Sequence, residues 1–211
     1  MGQTVPWVDI NPPALAKRFI TAPQSTGMGF HVFDADMAEH LDDPSRYRYC
    51  STEELIGPLP SQVGQLMDIG SGTGFYTETL RETAHRLLAV DIQPAMHRIH
   101  RDRRPHPRVR LLTAAASALP LSTGSVDAAV STATFHEFAG ADALDELARV
   151  IAPGGTVVTV DWAADGAGET GPPVGERYSL DEAVAQFEHA GFATASAEDR
   201  TETFRLVSQR E

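Results

Sequence analysis

At 211 residues, 42% of them apolar, the chain is long enough to bury one sizeable core. Its formal net charge of −12, from 29 acids against sixteen Arg and one Lys, gives a surface that repels phosphate backbones and argues against a nucleic-acid partner. No apolar run approaches the ~18 residues that cross a bilayer, the N-terminus lacks a cationic start with an apolar stretch, and the single Cys50 excludes an intramolecular disulfide framework. The expected setting is the cytoplasm, with no membrane partner.

Residues 1 to about 30 carry Pro, Gly and scattered apolar side chains with no clean period, which reads as an irregular arm or short helices. Val32, Phe33, Met37 and Leu41 recur at helical spacing, and Asp42-Asp43-Pro44 ends that run. Ser51-Thr52-Glu53-Glu54 is a capping-box start for a short helix stopped by Gly57-Pro58. From there strands and helices alternate, the pattern of a parallel sheet with right-handed crossovers. Strands are predicted near 65–69, 86–90, 108–113, 126–131, 156–161, 193–198 and 203–208. Helices are predicted near 75–84, 94–104, 141–150 and, behind the capping box Ser179-Leu180-Asp181-Glu182, from 179 to 190, with Gly191 as terminator. These seven strands predict a doubly wound α/β sheet. Residues 1–60 would form an N-terminal helical cap on a core spanning 61–211, all within one structural domain.

The densest chemistry lies in Leu66-Met67-Asp68-Ile69-Gly70-Ser71-Gly72-Thr73-Gly74-Phe75. A short apolar strand enters a turn with Gly at three alternate positions, where the backbone can take φ > 0 or approach a ligand closely, and the turn opens toward the N-terminus of the next predicted helix. The following strand ends in Asp91, seventeen residues beyond Gly74, where a nucleotide-binding βαβ unit places the acid that takes ribose hydroxyls. An adenosine-containing cofactor is therefore expected. A dinucleotide fingerprint would need a small residue where Phe75 stands, which disfavours a nicotinamide oxidoreductase, and a P-loop would need a Lys after the glycines, whereas Lys17 is the only Lys in the chain. An ordinary tight turn is the plain structural alternative.

The pattern that fits is (D/E)-x-G-x-G-x-G, and with it residues 51–211 resemble the class I S-adenosylmethionine-dependent methyltransferases. Asp68 to Gly74 is similar to the family's first motif, and Asp91-Ile92-Gln93-Pro94-Ala95-Met96 to the acidic end of its second strand. Ala115 to Leu121 and Ser125 to Ser131 resemble its third and fourth strand ends, and Ala152-Pro153-Gly154-Gly155 the turn before its fifth. The resemblance implies a Rossmann-like sheet whose last strand runs antiparallel, and S-adenosyl-L-methionine as cofactor. It also implies in-line methyl transfer to a small-molecule acceptor, or, as the alternative, a non-catalytic regulatory protein that binds the same cofactor or S-adenosylhomocysteine.

The resemblance also implies roles for individual residues. Gly70 and Gly72, with Ser71, Thr73 and Gly74 between and beyond them, would lie along the methionine part of the cofactor. Asp68 would orient the loop or accept from the cofactor's ammonium, Asp91 would take both ribose hydroxyls, and Ile92 and Met96 would flank the adenine. The acid that the family often carries at the end of strand three is replaced by Ala114-Ala115-Ala116, which leaves backbone groups around Ala115, Ala116 and Ser117 to read the adenine edge. Thr132 and His136 follow strand four at the carboxyl edge of the sheet. Small-molecule methyltransferases carry a His similar to His136, which either takes the acceptor's proton or holds the cofactor; a helix-capping, partly buried His is the structural alternative. Glu137 is expected to face solvent.

Three further groups stand out. His31, Asp34, Asp36 and His40 have the residue types of a metal site, but their spacing favours a solvated helix start or a cap over the acceptor, so no metal is expected. The stretch from His97 to Arg110 holds six Arg and three His; it reads as a solvated helix surface, with docking of an anionic partner as the other reading. Trp7, Trp162 and Tyr178 either line an acceptor pocket or pack in the core.

Overall fold

The computed structural model describes residues 35–211. Two 3₁₀ segments, Ala35–Asp42 and Pro44–Arg48, precede α1 (Thr52–Ile56), whose capping box between Ser51 and Glu54 is formed. The core then runs β1 (Val63–Ile69), α2 (Thr77–Leu80), β2 (Ala84–Asp91), α3 (Pro94–Arg103), β3 (Val109–Thr113), β4 (Val126–Thr132), α4 (Phe135–Phe138), α5 (Ala141–Val150) and β5 (Ile151–Trp162). It closes with α6 (Leu180–His189), β6 (Phe192–Asp199) and β7 (Thr203–Arg210). The seven strands form one sheet in the order β3-β2-β1-β4-β5-β7-β6. β7 is antiparallel to both β5 and β6, as expected, and the first five strands are parallel.

Alternation along the buried strands splits the core into two layers. On one face Met67, Ile69, Leu88 and Val90 pack under Leu144, Leu147 and the aromatic group Phe135, Phe187, Phe192 and Phe204. On the other, Leu66, Leu87 and Ala89 meet Leu55, Phe75, Tyr76 and Leu80. Asp68 and Asp91 fall in phase with this second set, which places two acids at the carboxyl ends of adjacent strands on the face covered by the N-terminal segment.

Several elements differ from the sequence reading. The helix predicted over 75–84 is a single turn, because β2 starts at Ala84 to pair with Val63 and leaves Arg81–Thr83 to make the connection. The glycine turn therefore does not feed a long helix dipole. The helical run toward Leu41 is 3₁₀ and is followed by a second segment beyond Pro44; Val32 lies outside the described residues. The short helix α4 was not anticipated. β5 starts early, at Ile151, and its pairing with β4 shifts register between Val126 and Ala128, opposite the Pro153-Gly154-Gly155 turn. The capping box of α6 and the glycine after it (Gly191, φ +84°) are as predicted.

Candidate cofactor and acceptor site

β1 and β4 are neighbours although α2, β2, α3 and β3 separate them in sequence, so the strand order reverses between them. A doubly wound sheet opens its ligand crevice at such a point, outside the carboxyl ends of the strands. A cleft of about 660 Å³ lies there. Of the residues singled out from sequence, Gly70, Ser71, Gly72, Thr73, Asp91, Ile92, Met96, Ala115, Ala116, Ser117 and Thr132 line it. Asp68, Gly74 and His136 do not.

The glycine turn is built for internal contacts as much as for a ligand. Gly70 (φ +70°) is crowded by Thr134, since a methyl group there would come within 2.2 Å of Thr134 Cγ2. Gly74 (φ +87°) faces His100 in the same way, at 2.5 Å from Nε2. The turn is pinned by Ser71 N–H donating to Val90 O (2.9 Å) and Gly74 N–H donating to Ser71 O (2.9 Å). Asp68 acts on it from below. It is buried, accepts from Thr77 Oγ1 at 2.5 Å, and is pushed up to about 6 by burial, which that hydrogen bond and the nearby Arg46 oppose. That hydrogen bond ties the end of β1 to the first residue of α2, across the glycine turn.

Asp91 has one oxygen accepting from Gly72 N–H (2.9 Å) and the other from Gln93 N–H (2.8 Å). Burial pushes its carboxyl upward against both hydrogen bonds. Ile92, 55% exposed, presents an apolar side chain to the cleft, and Met96 closes the wall behind it. Ser71 Oγ and Thr132 Oγ1 are buried on the cleft wall without a partner among the described residues. Orphan hydroxyls of this kind ask for a polar ligand. Together with an acid beside an exposed apolar face, they fit a molecule with a nucleoside at one end and a zwitterionic tail at the other.

Beside Thr132 and Ala133 lies a second, smaller recess of about 30 Å³. Arg46, Thr132 and Ala133 wall both spaces. Tyr49 and Trp162, with ring centroids 4.8 Å apart, Tyr76 and Asp161 line the recess. Ala133 holds φ +54°, a left-handed conformation that costs a non-glycine residue about 1–3 kcal/mol and gathers at functional sites. Trp162 thus takes the wall position considered for it, whereas Tyr178 packs on Phe135 at 5.6 Å. Trp7, His31, Phe33 and Asp34 lie outside the described residues.

His136 stands behind this wall. Its backbone N–H donates to Asp161 Oδ2 and its Nδ1 pairs with Asp161 Oδ1, each at 2.8 Å; Trp162 N–H adds a third bond to the carboxylate at 2.6 Å. Burial pushes the imidazole down, but the Asp161 bond and charge outweigh it and raise the pKa overall. Asp161 also does for α4 what the residue before that helix, Thr134, does not: it satisfies a first-turn N–H. Sequence reading missed Asp161, although an acid at the carboxyl end of β5, beside β4, was a visible signal. Glu137, expected to face solvent, is half-buried and lines the cleft.

The N-terminal segment is tied onto this site. Asp42 accepts from Thr73 Oγ1 (2.7 Å) and pairs with Arg103 and Arg104, and Arg104 also donates to Thr73 O (3.0 Å). Burial raises the Asp42 carboxyl, but the Thr73, Arg103 and Arg104 contacts outweigh it and hold the group below its ordinary value. Leu41 lines the cleft opposite Gly72. Two Arg of the 97–110 run are therefore structural. Among the described residues no three His, Cys, Asp or Glu side chains are grouped to hold a metal ion, and no helix is long and apolar enough to cross a membrane.

Beneath the turn His97 and His100 are both buried, and burial depresses each to about 4. Unfolded histidine takes up its proton near 6.5, so between 6.5 and 4 the unfolded chain binds more protons and stability falls as the pH falls. Asp68, raised to about 6, works in the opposite sense from 6 down to 3.8. The test is thus a difference. The loss of Tm between pH 7 and 4.5 should be smaller by about 5 °C or more in the His97→Gln/His100→Gln variant than in the wild type. Equal losses would contradict the assignment.

Residues 67–159 match the family model described as a methyltransferase domain. The chain is 30% identical over 159 residues to the tRNA (carboxymethyluridine(34)-5-O)-methyltransferase ALKBH8 of Mus musculus, covering 73% of this chain and 23% of that protein. It is 33% identical over 135 residues to the uncharacterized methyltransferase Rv3342 of Mycobacterium tuberculosis, covering 59% of this chain and 55% of that one. The chain thus spans from under a quarter to just over half the length of these relatives. Among solved structures, a SAM-dependent methyltransferase from Aquifex aeolicus superposes with a TM-score of 0.77 at 26% identity, over 85% of this chain and 100% of that one.

Proposed function

Since the chain belongs to the class I S-adenosylmethionine-dependent methyltransferases, with S-adenosylmethionine as its cofactor, we propose that it transfers the methyl group to a small organic acceptor seated in the aromatic recess. The observation that carries this reading is that the large cleft and the small recess share Arg46, Thr132 and Ala133 as wall residues. A space of about 30 Å³ admits one reacting group rather than a bulky chain.

When bound, the cofactor would supply a methyl group already activated on a sulfonium. The protein's task is alignment, which can supply ~7–11 kcal/mol without an acid or base. In this reading Asp91, Ile92 and Met96 hold the nucleoside end, and Ser71 Oγ and Thr132 Oγ1 take polar atoms of the tail. Tyr49 and Trp162 would hold the acceptor in the recess, beside the segment from Ala35 to about residue 60. His136 is a positioning residue that fixes Asp161 and the floor of the recess, since its Nδ1 and backbone N–H are both committed to that carboxylate.

Transfer to RNA is the second reading. The ALKBH8 relative favours it, as do the exposed Arg98, Arg101, Arg108 and Arg110 on α3 and near the sheet edge. Against it stands the net charge of −12. Tritium from methyl-labelled cofactor should enter a small-metabolite extract and not total tRNA at 50 mM salt. In the same assay His136→Gln should lower turnover without shifting the pH profile. Labelled tRNA would replace the proposed acceptor class, and loss of an acid limb in His136→Gln would make His136 a base.

A further inference from the structure

The connection from β5 to α6 is gathered by one side chain, Arg177. Arg177 is buried, and its fork brackets a single residue: Nη2 donates to Thr170 O (2.5 Å) and Nε to Pro172 O (2.9 Å). Its Nη1 reaches Ala163 O (3.4 Å) and pairs with the buried Glu202 at 3.5 Å. Glu202 Oε2 also accepts from Gly168 N–H (3.2 Å). The planar guanidinium presents its donors in a rigid fork, so it reaches several carbonyls at once, which the compact ammonium of Lys does not. The bracketed residue, Gly171, lies against Trp162. A Cβ there would come within 2.5 Å of Trp162 Cδ2, and the φ of +85° also requires glycine. The guanidinium carbon itself stands 5.5 Å from the Trp162 ring centroid.

Trp162 is where this network meets the recess. The residue is half-buried, its ring meets Tyr49 at 4.8 Å, and it lines the recess together with Thr203. Two partners of Arg177 sit one residue from that wall, since Ala163 follows Trp162 and Glu202 precedes Thr203. Arg177 itself does not line the recess. An indole left free to turn would spread the acceptor over many orientations, and alignment is where such a reaction gains its rate. We propose that Arg177 is a positioning residue for the recess: by pinning residues 170–172 against the indole, it fixes Trp162 in the orientation that shapes the wall. The consequence for methyl transfer rests on the small-acceptor reading above; the hold on Trp162 does not.

In a full-length parent carrying Trp7→Phe, Trp162 is the only indole. The readouts are acrylamide quenching of its emission, calorimetric titration with S-adenosylhomocysteine, and transfer of tritium from methyl-labelled cofactor to a small-metabolite extract. Arg177→Lys, which keeps the charge and loses the fork, should raise the quenching constant at least twofold and lower labelling at least tenfold. S-adenosylhomocysteine should bind it within twofold of the parent, which also shows that the variant is folded. Gly171→Ala disturbs the same contact from the other side and should give the same pattern. Glu202→Gln leaves both carbonyl contacts of the fork in place, so it should lower Tm while quenching and labelling stay within twofold. Unchanged quenching in Arg177→Lys and Gly171→Ala overturns the proposal. So does raised quenching with undiminished labelling, or a loss of labelling that follows Tm across all three variants. If the parent labels no small metabolite, the small-acceptor reading fails by itself, and raised quenching in Arg177→Lys still supports the hold on Trp162.

Discussion

Replacing Asp91 by Ala is expected to weaken S-adenosylhomocysteine binding at least tenfold. The carboxylate stands at the end of β2 on the cleft wall, and each oxygen already accepts one backbone N–H, from Gly72 or Gln93. Each carboxylate oxygen has capacity for a second donor, and the ribose hydroxyl pair is the donor set that the family brings. A hydrogen bond to a charged group contributes ~1.5–3 kcal/mol, so losing even one accounts for tenfold. The same substitution releases the Gly72 N–H and loosens the turn, which adds to the loss. Calorimetry gives the affinity, and the Tm of the variant separates local loss from unfolding. A change of less than twofold in a folded Asp91→Ala protein would remove Asp91 from the site.

Gly70→Ala should cost the fold about 2–5 kcal/mol. The left-handed backbone at φ +70° contributes ~1–2 kcal/mol for any residue with a Cβ. The contact at 2.2 Å with Thr134 Cγ2 adds an overpacking cost of ~1–3 kcal/mol, because Thr134 is itself held by its hydroxyl to Thr132 O at 3.1 Å. For a domain of this size the Tm should drop by roughly 5–15 °C. Gly72→Ala is the internal comparison. Its Cβ would meet Leu41 Cδ1 at 3.4 Å, an ordinary contact, so only the backbone term applies and the drop should be distinctly smaller. Equal drops would show that close packing on Thr134 is not what glycine provides at position 70.

The parallel sheet was legible because strand ends carry their own punctuation: Gly70 after β1, Asp91 at the end of β2, and Pro153-Gly154-Gly155 within the start of β5. Both capping boxes were legible for the same reason, since Ser51/Glu54 and Ser179/Glu182 act locally. The length of α2 was not, because pairing of Ala84 with Val63 is a tertiary demand that ends the helix early. The site divided along the same line. Residues next to the glycine turn and strand ends were found, while Arg46 and Tyr49 reach the recess only through the path of the N-terminal segment across the sheet. Gly74 was read as ligand-facing although it makes room for His100. The periodicity of a turn says that space is needed and not which neighbour needs it.

The cleft between β1 and β4 is expected to bind the methyl donor's nucleoside and tail as one ligand. Titration of the purified protein with S-adenosylhomocysteine, with NADH as control, tests it most directly. Micromolar binding of S-adenosylhomocysteine with none of NADH is the result expected. No S-adenosylhomocysteine binding, or tighter binding of NADH, would contradict it.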